Sequence, residues 1–306
     1  MARPIEIGQV EPWAIGRGHP GALRRALAGA WRFCRRKPLG AFGALIVLVL
    51  VLAAAFAESI APYDFDTQIP GARLVPPGAD FWFGTDNVSR DIFSRIVFGA
   101  RVSVTVGFST VLLAALLAAT IGITSGYFRG RYDIVVQRIV DAWQSFPYLI
   151  IILSLLAVLG PGMLNTILSL SILTAAANSR VIRSATLSVI ENPYIEAARA
   201  IGSGHLRIML RHILPNVAPT IVIVATISLG GVILAESALS FLGYGVPPPH
   251  PSWGGMLSGS GRTYMYKAPW MAIWPGVAIS LVVFGFNMLG DALRDVLDPR
   301  LRGSAR

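Results

Sequence analysis

The chain has 306 residues, of which 54% are hydrophobic and 14% charged, and its formal net charge is +10. Soluble domains carry about 45 to 50% apolar and about 25% charged residues, so this composition excludes an ordinary soluble domain and indicates a membrane protein. The single cysteine, Cys34, excludes an internal disulfide and a cysteine cluster for metal.

The segment before the first long apolar stretch, residues 1–38, is basic. It holds eight Lys and Arg against two acids, Glu6 and Glu11. Apolar residues such as Leu23, Leu27 and Trp31 recur there at helical spacing between the basic positions. This pattern predicts a helix in the plane of the lipid headgroups, and a disordered basic tail is the alternative.

Six apolar segments follow, and a helix needs about 20 such residues to cross a bilayer. They are residues 41–57 with flanking Leu39 and Gly40, then 102–126, 132–160, 163–185, 216–241 and 271–290. The sequence therefore predicts an all-α, polytopic membrane protein with six transmembrane helices and both termini on one side. Cleavage of a signal peptide near Ala57 is disfavoured because the region before the first segment is long.

The link between the first two segments, residues 58–100, is polar and contains four prolines. Its end overlaps the sequence FGTDNVSRDIFSRIVFGAR, residues 83–101. We expect this stretch to form an amphipathic helix that re-enters the membrane without contacting the substrate.

The link at residues 186–215 contains the sequence EAARAIGSGHLRIMLRHILP, residues 196–215. Its charged residues exclude burial in lipid. Gly202 and Gly204 interrupt a run of helix formers that opens at Glu196, since glycine costs about 1 kcal/mol against alanine inside a helix. Pro215 suits the first turn of the next helix. A helix, a bend and a second helix are therefore predicted outside the bilayer.

The distribution of positive charge predicts the orientation. With a cytoplasmic N-terminus, 20 of the 26 Lys and Arg lie in segments on the cytoplasmic side. The positive-inside rule then places both termini and the loop at 196–215 in the cytoplasm. The net charge therefore gives no indication of a nucleic-acid partner.

The loop at 196–215 resembles the EAA loop of bacterial ABC importer permeases. The match rests on Glu196, Ala197 and Ala198, then Gly202, and finally Leu214 and Pro215 at the family spacing. His212 stands where the family pattern has isoleucine, and Ile213 follows it.

Three further stretches resemble the dipeptide, oligopeptide and nickel branch of these permeases. The first is FGTDNVSRD, residues 83–91, in which Ser89 replaces the usual glycine. The second lies between PSWG at 251–254 and APW at 268–270. The third is FNMLGDALRDVLDPR, residues 286–300. Together with the EAA-like loop, the resemblance covers nearly everything from residue 39 to residue 300.

The resemblance implies the type I ABC importer permease fold in a bacterial inner membrane. It implies four kinds of partner: the bilayer, a second homologous permease, two ATPases that bind ATP and Mg, and an external substrate-binding protein. Peptides are the expected substrate, and nickel chelates or glutathione are the alternatives. The residues expected to couple the chain to the ATPases are Glu196, Ala197, Ala198, Arg199, Gly202, Leu214 and Pro215.

The chain itself has little chemistry of an enzyme. It contains no Gly-Lys-Ser/Thr sequence and hence no P-loop for ATP, so we predict that it is not an ATPase. Its four histidines are scattered without ligand spacing, and we predict no metal site and no cofactor bound by this chain. A secondary transporter is a weaker alternative because we find no internal repeat. A structural or assembly subunit is the third possibility.

Two polar residues inside apolar segments are candidates for the translocation path. Glu236 is the only carboxylate well inside such a segment, and intramembrane ionisable residues are usually functional. The alternative for Glu236 is a structural hydrogen bond to a neighbouring helix. Asn178 is the second candidate, and it should not act as a pair with Arg180, which lies two residues away on the same helix.

These observations divide the chain into four parts. Residues 1–38 are a cytoplasmic basic tail with an interfacial helix, and residues 39–100 are the first transmembrane helix and an external loop. Residues 101–295 are a five-helix permease core that includes the cytoplasmic coupling loop at 191–215. Residues 296–306 are a cytoplasmic C-terminal tail.

Overall fold

The computed structural model describes residues 33–35 and 37–297. The chain divides into two compact units, residues 1–38 and 39–306, and the fold described below is that of the second. The predicted interfacial helix and most of the predicted C-terminal tail lie outside the described residues.

The described part of the chain is helical and contains no strand beyond one isolated bridge between Thr85 and Asp91. The all-α prediction is therefore confirmed. A π-helical turn at Met209–Ile213 lies between the helix that ends at Ile208 and the helix that begins at Leu214. The helices are α1 Pro38–Ala55, α2 Ala57–Ile60, α3 Ile92–Phe128, α4 Gly130–Gln144, α5 Tyr148–Leu159, α6 Met163–Ile190, α7 Pro193–Ala200, α8 His205–Ile208, α9 Leu214–Phe241, α10 Trp253–Leu257, α11 Ser260–Tyr264 and α12 Trp270–Leu297.

Each of the six predicted segments lies on a helix or on a broken pair of helices. Within the described residues, four helices are long and apolar enough to cross a membrane: α1, α3, the continuous helix His205–Phe241, and α12. The pair α4 and α5 makes a fifth span if it is counted as one. Helix α6 has 28 residues, about 42 Å at 1.5 Å per residue, but it is more polar than the others.

The polarity of α6 fits its position, because its packing against α3 is the most extensive between any two of the described helices. The two helices approach closely at Gly122 of α3, where an added Cβ would stand 2.7 Å from the carbonyl oxygen of Ser179. Helices α1 and α12 approach in the same way at Gly43, where a Cβ would stand 2.5 Å from the carbonyl oxygen of Gly285. Small residues at helix crossings are typical of membrane bundles.

The predicted re-entrant helix at 83–101 is wrong. Residues up to Asp91 form a loop, and α3 then runs without interruption for 37 residues from Ile92. The Asp91 carboxylate caps the helix by accepting a hydrogen bond from the backbone N–H of Ser94 at 2.7 Å. The helix continues through Arg95 because this guanidinium, 8% exposed, donates to the carbonyl oxygen of Phe65 at 2.9 Å.

The predicted single span at 132–160 is broken. Helices α4 and α5 meet at an angle of 88° across residues 145–147. Pro147 lacks a backbone donor and cannot continue the hydrogen bonding of α4. The Ser145 hydroxyl instead donates to the carbonyl oxygen of Asp141 at 2.8 Å. The bend opens a groove on one side of the bundle.

Candidate functional site

Helix α7 is the short helix of the EAA-like loop. It begins at Pro193, three residues before the predicted start at Glu196. Proline is well suited to the first helical turn, because the donor that it lacks has no partner there. Asn192, immediately before it, has extended backbone angles. The four positions Glu196, Ala197, Ala198 and Arg199 therefore lie within the helix.

The end of α7 is set by Gly202, as predicted. Gly202 has φ +78°, the left-handed conformation that glycine adopts readily. The N–H of Ser203 donates to the carbonyl oxygen of Ala198 at 3.1 Å, and the N–H of Gly202 donates to that of Arg199 at 2.9 Å. These two bonds form a Schellman motif, which stops the helix at a defined position.

The inner face of α7 consists of Ile195 and Ala198, which are 0% and 5% exposed. They belong to an apolar cluster with Tyr127, Ile208 and Ile213. The Ala198 side chain therefore packs within its own chain, and its expected part in coupling to the ATPases stays a prediction. Ile195 was missed, although its spacing of three residues from Ala198 marks one helix face.

The outer face of α7 is solvent exposed and mixed in character. Glu196, Ala197, Arg199 and Ala200 lie on it. Ile201, directly after the helix, is 82% exposed. Exposed Leu206 and Leu210 extend the apolar surface beyond the bend. An exposed apolar patch with polar edges is typical of a protein docking site.

Pro215 lies in the first turn of α9, as predicted. The π-helical turn at Met209–Ile213 joins α8 to α9 without a gap, so the helix His205–Phe241 is continuous. A proline ring clashes with the carbonyl four residues earlier, and the wider π-helical turn at Met209–Ile213 lies directly before it. Leu214 is half-buried and Pro215 is exposed.

Tyr127, near the end of α3, joins this loop to the bundle. Its hydroxyl lies 2.9 Å from Nδ1 of His205, and the Arg199 Cζ lies 5.3 Å from the centre of its ring. Cations are attracted to aromatic faces at this range. One side chain of α3 therefore contacts both helices that flank the bend at Gly202. Sequence reasoning missed it because residue 127 is distant in the chain.

Ion pairs connect the helices at the end of the bundle where Tyr127 lies. The Arg183 Nε of α6 donates to Asp133 Oδ1 of α4 at 2.6 Å, and Ser125 of α3 also donates to this carboxylate. Asp141 pairs with Arg180 of α6 and, at 3.5 Å, with Arg138. Arg138 and Asp141 are three residues apart on α4. These contacts tie α3, α4 and α6 together beside the loop.

Glu236 lies on α9 and is 1% exposed. Its carboxylate accepts hydrogen bonds from the hydroxyls of Ser240 at 2.7 Å and Ser237 at 3.4 Å. Both serines belong to the same helix, so the predicted bond to a neighbouring helix is wrong. Complete burial also separates this carboxylate from open space.

Asn178 lies on α6 and faces a groove of about 570 Å³ beside the bend between α4 and α5. Its Nδ2 donates to the Ser228 hydroxyl of α9 at 3.0 Å, while Arg180 turns away to Asp141. Asn178 and Arg180 therefore do not act as a pair, as predicted. The polar and aromatic residues of the groove are Trp143, Gln144, Phe146, Tyr148, Thr174, Asn178 and Ser228.

Two of the three further motifs quoted from the sequence, at 83–91 and 251–270, hold distant segments together at the opposite end of α3. The carbonyl oxygen of Thr85 accepts from the Trp270 indole at 3.1 Å, and the hydroxyl of Thr85 accepts from the N–H of Val75 at 2.8 Å. The Trp253 indole donates to the carbonyl oxygen of Ile96 at 3.0 Å. These hydrogen bonds stabilise the packing of the distant segments against one another.

Two family models match the chain. Residues 118–303 match the model described as binding-protein-dependent transport system inner membrane component. Residues 26–77 match the N-terminal TM domain of oligopeptide transport permease C.

Two curated relatives are similar over most of their length. The dipeptide transport system permease protein DppC of Alkalihalophilus pseudofirmus is 40% identical over 273 residues, 89% of this chain and 90% of that protein. The glutathione transport system permease protein GsiD of Escherichia coli strain 536 is 39% identical over 285 residues, 93% of this chain and 94% of that protein.

Among solved structures, a chain of the MetNI methionine ABC transporter in an inward-facing conformation is similar. The alignment has a TM-score of 0.53 and 20% identity, and it covers 67% of this chain and 96% of the other. At this identity the likeness concerns the fold alone.

Proposed function

Because this chain belongs to the family of binding-protein-dependent transport system inner membrane components, we propose that it imports di- or oligopeptides as a permease subunit of an ATP-driven ABC importer. The observation that carries the substrate class is the 40% identity to a dipeptide permease over 89% of the chain. The glutathione relative supports the same class, since glutathione is itself a small peptide. Nickel chelates are the alternative.

The test of the substrate is uptake into proteoliposomes that contain the complete importer and its binding protein. Radiolabelled dipeptide should accumulate when ATP is supplied, and unlabelled peptide or glutathione should compete. Uptake of nickel chelate with no uptake of dipeptide, oligopeptide or glutathione would replace the proposed substrate.

The partners in this proposal are a second permease, two ATPase subunits that bind ATP and Mg, and the external binding protein. The chain lacks a P-loop of its own, so the energy of ATP must enter through a partner. Co-expression should yield a complex that hydrolyses ATP, whereas the isolated chain should neither bind nor hydrolyse it. Stoichiometric binding of ATP to the purified chain would contradict this division of labour.

Helix α7 and the exposed residue after it are the proposed contact with the ATPases. The outer face offers Glu196, Ala197, Arg199 and Ile201 to a partner. The inner face and Tyr127 attach the same helix to α3. A partner that moves α7 would therefore move α3 through packed side chains, which is the physical requirement for coupling.

A further inference from the structure

The groove at the bend of α4 and α5 presents polar side chains along helices of the membrane bundle. Within the described residues, the bond to Ser228 is the only hydrogen bond of the Asn178 amide group, which leaves its carbonyl and one N–H without a protein hydrogen-bond partner. The Gln144 side chain likewise has no protein partner there. Lipid tails cannot satisfy such groups.

The chemistry of the groove is neutral. None of its lining residues is an aspartate, glutamate, lysine, arginine or histidine. It therefore offers no charge to a metal ion or to a free carboxylate. Amide and hydroxyl groups match the C=O and N–H groups of a peptide backbone, since each offers both a donor and an acceptor.

The size of the groove is also suitable. Its volume of about 570 Å³ lies within the roughly 300 to 1,000 Å³ of small-molecule sites. Trp143, Phe146 and Tyr148 supply an aromatic wall at the bend, against which apolar side chains of a passing solute can pack. A solute that is held by a few polar contacts and by no ion pair can leave the groove again. Such release is a requirement for conduction.

We propose that this groove binds the backbone amides of the transported peptide, with Asn178, Ser228 and Gln144 as its hydrogen-bonding residues. The inference rests on the proposed peptide substrate and adds the residues that contact it. Glu236 takes no part, because it is buried against the serines of its own helix.

Gly231 of α9 allows a test by obstruction. It lines the groove, and a Cβ built on it would meet nothing within 4 Å. Gly231→Phe should therefore fill the groove without disturbing the chain's own packing. Gly276→Phe on α12 is the matched control, since its Cβ also meets nothing within 4 Å and it lies outside the groove lining.

The measurement is peptide uptake by the complete importer in proteoliposomes at saturating loaded binding protein. Gly231→Phe should assemble with its partners and lower uptake at least tenfold, and Gly276→Phe should stay within twofold of wild type. Wild-type uptake by Gly231→Phe would overturn the proposal. So would loss of the second permease from this variant alone, which would make the groove a subunit contact.

Removal of single polar groups gives an independent test. Asn178→Leu and Ser228→Ala should each lower the uptake rate about three- to tenfold, the equivalent of one hydrogen bond. Thr226→Val is the matched control, because Thr226 makes the same bond to the preceding turn of α9 as Ser228 does. The binding protein is identical in all complexes, so its affinity cancels in the ratios.

Two failures can be told apart. If the wild-type importer takes up peptide and both Asn178→Leu and Ser228→Ala equal it, the groove does not bind the solute and only this inference falls. If the wild-type importer takes up neither dipeptide, oligopeptide nor glutathione, the proposed function falls and the groove assignment falls with it.

Discussion

Ser89 adopts the left-handed backbone conformation that its position requires, although this conformation favours glycine. It has φ +66°, and the loop holds it there because its N–H donates to Asp86 and its carbonyl accepts from Ile69. The resembled motif carries glycine at this place. A left-handed conformation costs an L-residue about 1 to 2 kcal/mol. Glycine avoids this cost, but its greater conformational freedom in the unfolded chain offsets part of the gain in stability.

Ser89→Gly should therefore raise the free energy of unfolding by about 0.5 to 1 kcal/mol. The measurement is denaturant unfolding of the purified chain in detergent. Ser258→Gly is the control, because Ser258 has an ordinary φ of −79° and should gain nothing. Equal stabilisation by both changes would show that strain at Ser89 is not the cause.

Gly202 provides the second prediction at the residue scale. Its φ of +78° is rare for a β-branched residue, so Gly202→Val should disrupt the end of α7 while leaving its outer face available. ATPase subunits should still co-purify. Peptide-stimulated ATP hydrolysis should fall about fivefold or more, because a strain of 1 kcal/mol corresponds to about that factor.

Gly204→Val is the matched control, since Gly204 has φ −65° and an added Cβ would meet nothing within 4 Å. It should hydrolyse ATP and take up peptide at close to the wild-type rate. Wild-type coupling in Gly202→Val, or the same loss in both variants, would contradict a specific role for the helix end at Gly202.

At the scale of the element, α7 has two faces with different tasks. Ala198 packs inward and Ala197 is exposed, although the two are neighbours in the chain. Ala198→Trp should destabilise the chain by about 1 to 3 kcal/mol through overpacking. Ala197→Trp should leave chain stability within about 0.5 kcal/mol and weaken ATPase docking.

Two assays on the variants Ala197→Trp and Ala198→Trp test this assignment of faces. They are thermal unfolding of the isolated chain and co-purification of the ATPase subunits. The proposed assignment of faces is wrong if Ala197→Trp unfolds the chain as readily as Ala198→Trp. The proposed docking role of the outer face is wrong if Ala197→Trp retains full ATPase binding.

At the scale of the whole molecule, the predicted orientation is open to test. The loop of α7 and the loop between α9 and α12 lie at opposite ends of the continuous helix His205–Phe241. We predict that the first is cytoplasmic, on the basis of the 20 of 26 Lys and Arg on that side. A reporter active only in the cytoplasm should work when fused after Arg306 and fail when inserted near Ser258. The opposite pattern would invert the topology.

The amino-acid sequence by itself determined the class, the apolar segments and the end of α7. Apolar stretches and glycine act locally, because lipid requires about 20 apolar residues whatever the rest of the chain does. Gly202 ends its helix through its own freedom at positive φ. The motifs around Glu196, residue 83 and residue 251 also indicated the family, which the family models and relatives confirm.

Only the tertiary structure decided how the helices continue, break and face one another. Helix α3 includes the buried Arg95, whose guanidinium donates a hydrogen bond to the carbonyl oxygen of Phe65 in a distant loop. Ala198 faces inward into an apolar cluster that includes Tyr127, 71 residues earlier in the chain. The groove at Asn178 exists because α4 and α5 bend by 88° beside it. Such contacts join residues that are far apart in the chain, and local sequence patterns do not predict them.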